Sequence, residues 1–546
     1  MVILPRGPAV LVLFAALSSW ACLDLNVTNI NEPDSERALA TPGDVESLIG
    51  NSYNTWFTGS YGNWMSSSTA NTGASLFLSN QSFQHSPPWA NLGMAFYGGI
   101  PRVGIVNEVS HTYYPRVNWQ WEYCYRALSS VASGLKALEE PEVAEELGPE
   151  SVERLRTLAR FVQGLAHGTI ALFYDRGFIV DEATDLADLG DPLDYNALME
   201  AALGYFDEAI GQASAASFTL PFEWMAADVD ARHLVRLAHS YEARLRAQVA
   251  RTPEERAAVD WGAVTADVDA GIQATHTMEM DWDKGWYNLF LDYATWPWTW
   301  SQIPYFVYGM ADQSGDVLEW LALGMDEKHV FFADGRPVRI VTPDLRFPQG
   351  ATIAEQRANP GRLFRVATEA QEGDTWTRPD RGPWRWSWYK PPPMYWAIDE
   401  REQPEIHLAE MRLLKAEALY RQGNRAAAAA IVNETRVAAG LSPTDAAGTN
   451  LECVPRLPNG SCGDLWEMLK WEKRMETVWT GVAGANWFFD GRGWGDLWKD
   501  TPLQFPVPCQ EVEVLQMPPC ESFGGPGGQM GSPGSSYNYP HELGEG

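Results

Sequence analysis

The 546-residue chain is short of the residues that most chemistry relies on: it has six cysteines and nine histidines. No CxxC pair occurs and the histidines are scattered without ligand spacing, so no zinc site is expected and no metal or cofactor is assigned. Basic residues are also few, 40 Lys and Arg against 71 Asp and Glu, a net charge of −31. Nucleic acid and anionic membrane surfaces both require clustered cations and are excluded as partners on that ground. No GxSxG, Walker or GxGxxG motif stands at a strand–helix junction. Acidic pairs such as Asp281/Asp283 and Asp399/Glu400 are what chance gives among so many carboxylates, and no catalytic residue is assigned. The run Asp281, Asp283, Tyr287, Asp292 has Gly285 and Trp286 where a calcium loop needs an oxygen ligand and a glycine.

Tryptophan is abundant. The 25 Trp outnumber the 21 Phe and 20 Tyr, and indole is rarely buried completely because its N–H needs a partner. This excess points to exposed aromatic platforms. The aromatics gather in segments broken by Pro and Gly, where long helices are forbidden: 60–100, Asp281–Trp300 and Trp376–Trp396. Candidate ligand-binding residues are Trp64, Asn71 and Trp89 in the first, and Trp286, Trp296, Trp298 and Trp300 in the second. In the third, Trp384, Trp386 and Trp388 alternate, so an extended strand would place their rings on one side. Indole faces of this kind can stack on flat apolar surfaces such as the C–H face of a sugar ring.

Between these segments lie helical patterns. The clearest runs from Glu405 to Leu441: Ile406, Ala409, Leu413, Ala416 and Tyr420 line one helical face, and Gly423-Asn424 ends the helix before a second begins at Arg425. This helical hairpin resembles a tetratricopeptide repeat. Further helices are expected at 119–138, 152–173, 195–213, 231–250 and 257–274, and a short hairpin at 330–342. The expected fold is therefore mainly α, a tetratricopeptide-like scaffold of about four helix pairs with long aromatic loops and a few short strands.

Residues 1–21 read as a signal peptide, with Arg6 ahead of the apolar run Ala9–Leu17, which is too short to span a bilayer. Cys22 follows, as at the lipidation site of a bacterial lipoprotein, although Ser19 and Trp20 depart from the usual lipobox. Of the remaining cysteines, Cys453/Cys462 and Cys509/Cys520 form plausible local disulfides, cross-pairing between them is equally allowed, and Cys124 is left as a buried thiol.

Cys22, Leu25, Val27, Asn29, Asn31 and Pro33, followed by Leu48–Tyr53, resemble the mature start of SusD/RagB-family proteins. So does a second run, Trp471, Glu472, Arg474, Glu476, Gly481, Trp487, Phe488, Asp490, Arg492, Trp494 and Gly495, except that Asn486 stands where a basic residue is common. Phe505-Pro506-Val507-Pro508 resembles the closing motif. The resemblance implies a non-catalytic, lipid-anchored outer-membrane protein that binds a nutrient and partners a TonB-dependent transporter. It implies one domain over 22–520: a scaffold at 119–275 and 404–441, ligand loops at 60–100 and 280–400, and the family motifs at 469–508. The Gly/Pro-rich residues 521–546 are expected to be disordered. Oligopeptide capture within the same family, and an all-α glycoside-processing enzyme, are the rival readings.

Overall fold

The computed structural model describes residues 41–62, 74–85, 93–99, 101–291, 303–323, 339–366, 389–390, 401–517 and 519–534. The first helix, α1 (Pro42–Gly50), begins where its residues dictate. Thr41 accepts from the Asp44 amide at 3.3 Å, Asp44 accepts from the Thr41 amide at 3.1 Å, and Pro42 occupies a position that needs no N–H. Val45 and Ile49 are buried, and α2 (Ser52–Tyr61) follows. Long helices come next: α3 (Pro115–Ala137), α4 (Pro149–Phe173), α5 (Tyr195–Ala215) and α6 (Ala231–Gln248). Asp194 and Asp230 cap α5 and α6 through their carboxylates. Gly134 of α3 lies against Ile49, and a Cβ there would stand 2.4 Å from the Ile49 side chain, so the α1–α3 crossing requires glycine.

The helix expected at 257–274 is in fact two, α7 (Pro253–Ala258) and α8 (Trp261–Ala270). Val259 is extended (φ −56°, ψ 142°), and Thr252 and Asp260 each cap a separate start. Strand β1 (His276–Met280) pairs antiparallel with β2 (Arg401–Ile406), which leads directly into α9 (Leu408–Arg421). Gly423 (φ +85°) turns the chain and Asn424 caps α10 (Arg425–Ala438), so the expected hairpin is present. Ile406, expected on the helical face, instead ends strand β2, and the helix starts two residues later. The helices pack in sequence as a layered array: α2 on α3, α3 on α4, α4 on α5, α5 on α6, α6 on α8, α8 on α9, and α9 on both α10 and α11 (Leu465–Glu476). This is the mainly helical, repeat-like architecture expected, with strands confined to two-stranded pairs among the described residues.

Other features also differ from expectation. In α9 the buried set extends beyond the predicted stripe to Glu410, Met411, Leu414, Glu417 and Ala418, because α8, α10 and α11 enclose the helix on several sides. The tail is ordered through 534. Phe523 O accepts from the Ile105 amide at 2.8 Å, and Ser532 and Met530 carbonyls accept from Asp500 and Leu503 amides at 2.9 Å each. Phe523 is buried, and a Cys509–Cys520 disulfide ties the start of the segment down. Its glycines, which suggested disorder, allow this close backbone approach. Residues 535–546 and positions 330–338 of the expected hairpin lie outside the described residues, and 339–342 are irregular. The second disulfide joins Cys453 to Cys462, while Cys124 is free and buried, and burial pushes its thiol up to about 12.

Candidate functional site

Nine of the ten candidate ligand residues, Trp64, Asn71, Trp89, Trp296, Trp298, Trp300, Trp384, Trp386 and Trp388, lie outside the described residues, as does Cys22. Trp286 is described, and it corrects the expectation: it is fully buried, with its ring centroid 5.3 Å from Phe57 and 6.0 Å from Tyr53. It fills the space between α2 and β1 and offers no face to a ligand. An indole that the sequence reading passed over is exposed instead. Trp282 is 42% exposed, braced edge-on by Tyr287 at 4.6 Å. The turn Asp281–Gly285 holds it out: Asp281 Oδ1 accepts from the Lys284 amide at 3.1 Å and Gly285 closes the turn at φ +82°. The Asp281 cap was the available signal.

What the structure shows of the aromatic loops is where they are rooted, and several roots meet one turn. After α11, residues 477–485 carry positive φ at Trp479 (60°), Gly481 (90°), Ala483 (55°) and Gly484 (62°) before α12 (Asn486–Trp494). Two of these are not glycine, a conformation that persists only where surrounding contacts enforce it. Those contacts come from residues that precede the undescribed segments. Tyr61, ahead of 63–73, places its hydroxyl 2.6 Å from Glu405 Oε2 and 2.9 Å from the Gly481 carbonyl, its one proton serving both acceptors. Gln84, ahead of 86–92, donates to the Gly484 carbonyl at 3.0 Å and accepts from the Trp479 amide at 2.9 Å. Phe290, ahead of 292–302, lies flush on Gly484, where a Cβ would come within 2.0 Å of its ring. Phe364, ahead of 367–388, meets Trp479 edge-on at 6.3 Å. Within the turn, Asn486 accepts from Gln248 at 2.7 Å and donates to Thr480 at 3.1 Å. The departure at Asn486 is thus a neutral amide doing positioning work in a fully buried place. His85 at the same hub is held down to about 3 by burial, so its imidazole is neutral, within 2.7 Å of Ser79 Oγ.

Beneath the hub runs a network of buried ions that the motif residues complete. Glu405 accepts from Tyr241 at 3.0 Å and from Tyr61, while Arg244 sets its guanidinium on Glu410 at 2.7 and 2.9 Å. Arg256 donates to Glu417 at 3.0 and 2.7 Å and to Asp490 at 3.1 Å; Lys473 reaches Asp490 at 3.0 Å and Trp494 Nε1 reaches Glu417 at 3.1 Å. Arg346 bridges Asp344, Glu472 and Glu476 at 2.8–3.0 Å, and Arg474 pairs with Asp496. Arg492 donates to the Leu503 and Gln248 carbonyls at 2.7 and 2.9 Å. Burial alone would raise the Glu417 carboxyl, but the Arg256 guanidinium overrides it and holds the group at about 2. For Glu405 burial wins over Arg244 and the carboxyl is raised. Most of these charges are paired with protein groups and buried, which suits a positioning role for the segments around them.

A groove of about 440 Å³ lies between α5, the end of α6 and α7, with Met199, Leu203 and Val249 along it and Arg246 and Glu255 at its edges. Trp286, the one described candidate, is not among its lining residues.

No family profile matches the chain, and neither does any curated protein. Solved structures do. A SusD homolog from Parabacteroides distasonis aligns over 82% of this chain and 84% of its own with a TM-score of 0.53 at 14% identity. A SusD superfamily protein from Bacteroides thetaiotaomicron covers 83% of this chain and 90% of its own (TM-score 0.49, 12% identity), and a SusD-like carbohydrate binding protein from Bacteroides vulgatus covers 92% and 95% (TM-score 0.47, 12% identity). The Parabacteroides match carries the comparison, and it shows that this chain shares the fold of that SusD homolog.

Proposed function

We propose that this protein is a non-catalytic, lipid-anchored nutrient-binding subunit, a member of the SusD/RagB family that captures oligosaccharide at the cell surface for a TonB-dependent outer-membrane transporter. The observation that supports this most is the convergence of four aromatic-loop roots, Tyr61, Gln84, Phe290 and Phe364, on one conformationally constrained turn within a SusD-type fold. A shallow site made from several segments requires their flanking residues to be held in fixed positions, and this hub holds four of them. In this reading Trp64, Trp89, Trp296, Trp298, Trp300, Trp384, Trp386 and Trp388 supply stacking faces, Asn71 supplies hydrogen bonds, and Trp282 stands at the edge. Cys22 carries the lipid. Residues 22–520 act as one domain, extended by the ordered segment to 534. The described carboxylates near the hub are tied into ion pairs, which suits binding without turnover.

Incubation with mixed oligosaccharides and mixed oligopeptides tests the assignment. Retention of an oligosaccharide class, recovered with its chain length unchanged, is the expected result. Cleavage of the sugar would replace the binding role with an enzymatic one, and retention of peptides alone would replace the ligand class.

A further inference from the structure

On the scaffold, away from the loop hub, α6 and α8 bring three potential metal ligands together. His239 and Glu242 stand one turn apart on α6 and so share a face, and Asp267 reaches across from α8. His239 Nδ1 is 3.1 Å from Glu242 Oε2 and 3.3 Å from Asp267 Oδ1. Zinc binds nitrogen and carboxylate oxygen at about 2.0–2.2 Å, so adjacent ligands of a tetrahedral ion lie roughly 3.4 Å apart, close to the spacing present here. Asp267 is already oriented from behind, since Arg246 Nε donates to its other oxygen at 2.8 Å. Glu242 supplies an independent sign. Its side chain is only 1% exposed, yet Oε1 receives no hydrogen bond, and Arg246 Nη2 stands 3.9 Å off. Oε1 thus has only the distant Arg246 charge as partner, which leaves this buried carboxylate short of hydrogen-bond donors. Asp207 of α5 adds its negative charge to Glu242 from the third helix. His239 keeps 22% of its side chain in solvent, which leaves an entry path.

We infer that His239, Glu242 and Asp267 form a zinc-binding site that clamps α6 to α8. The imidazole selects a first-row transition ion over calcium or magnesium, which prefer all-oxygen shells with more ligands. Binding displaces the proton shared between His239 and the carboxylates, so zinc uptake releases protons.

The test is calorimetric titration of the EDTA-dialysed full-length chain with zinc chloride. One ion per chain is expected, together with a thermal stabilisation that EDTA reverses. His239→Gln and Glu242→Gln each weaken binding by at least about tenfold. Asp267→Asn, from the other helix, serves if either variant fails to fold. His233→Gln, in the separate His233–His276 pair, keeps wild-type affinity. Absence of zinc uptake by the wild type overturns the site, as does undiminished uptake in the folded His239 or Glu242 variants, loss with His233→Gln, or a preference for calcium.

Discussion

Replacing Arg256 with alanine lowers the stability of this protein by about 3–5 kcal/mol, the usual cost of removing one partner from a buried ion pair. The effect is large because Arg256 is fully buried and joins three elements. It binds Glu417 of α9 through two nitrogens, Asp490 of α12 at 3.1 Å, and the Ala247 carbonyl of α6 at 2.5 Å. Without it, Glu417 keeps only Arg421 and Trp494 as donors, and Asp490 keeps Lys473. The urea midpoint reads the loss, and an unchanged midpoint contradicts the account. The same cluster sets an acid limit. The Glu417 carboxyl lies at about 2 in the fold against 4.5 in the free side chain, so its stabilisation is complete above pH 4.5 and is lost as pH falls from there to about 2. At fixed urea the folded fraction therefore falls through this window, and in Glu417→Gln this part of the fall is absent.

Cys22→Ala releases the protein from the membrane fraction. No helix among the described residues is long and apolar enough to cross a bilayer, so the proposed lipid is the attachment this account relies on. The lipid contributes about 0.8 kcal/mol per buried methylene, and stable anchoring takes more than one chain, which the lipoprotein modification supplies. Fractionation of cells expressing the variant shows it in the soluble pool. Retention in the membrane pool means that the anchor is elsewhere.

How much of this was legible in the sequence follows from what each residue type can signal locally. The Glu405–Leu441 hairpin was readable because apolar spacing and a Gly-Asn turn are local signals, and the structure reproduces both helices. The caps at Thr41, Asp194 and Asp230 are local in the same way. The burial of Glu405, Glu410 and Glu417 was not readable, because a carboxylate at helical spacing looks like a solvated face until Arg244 and Arg256, more than 150 positions away, meet it. Trp286 failed for a related reason: its aromatic, Pro-broken segment suggested exposure, whereas Tyr53 and Phe57 of α2 enclose it. The hub depends on positive φ at Trp479 and Ala483, which no side-chain preference announces. The ordered tail depends on backbone hydrogen bonds, which leave no mark on composition.

The measurement that bears most directly on the account is calorimetric titration of the retained oligosaccharide into wild type and into a Trp296→Ala, Trp298→Ala, Trp300→Ala triple variant. The account predicts saturable binding by the wild type and a loss of at least tenfold in affinity in the variant, with the urea midpoint unchanged. Equal affinity in the two proteins would contradict it.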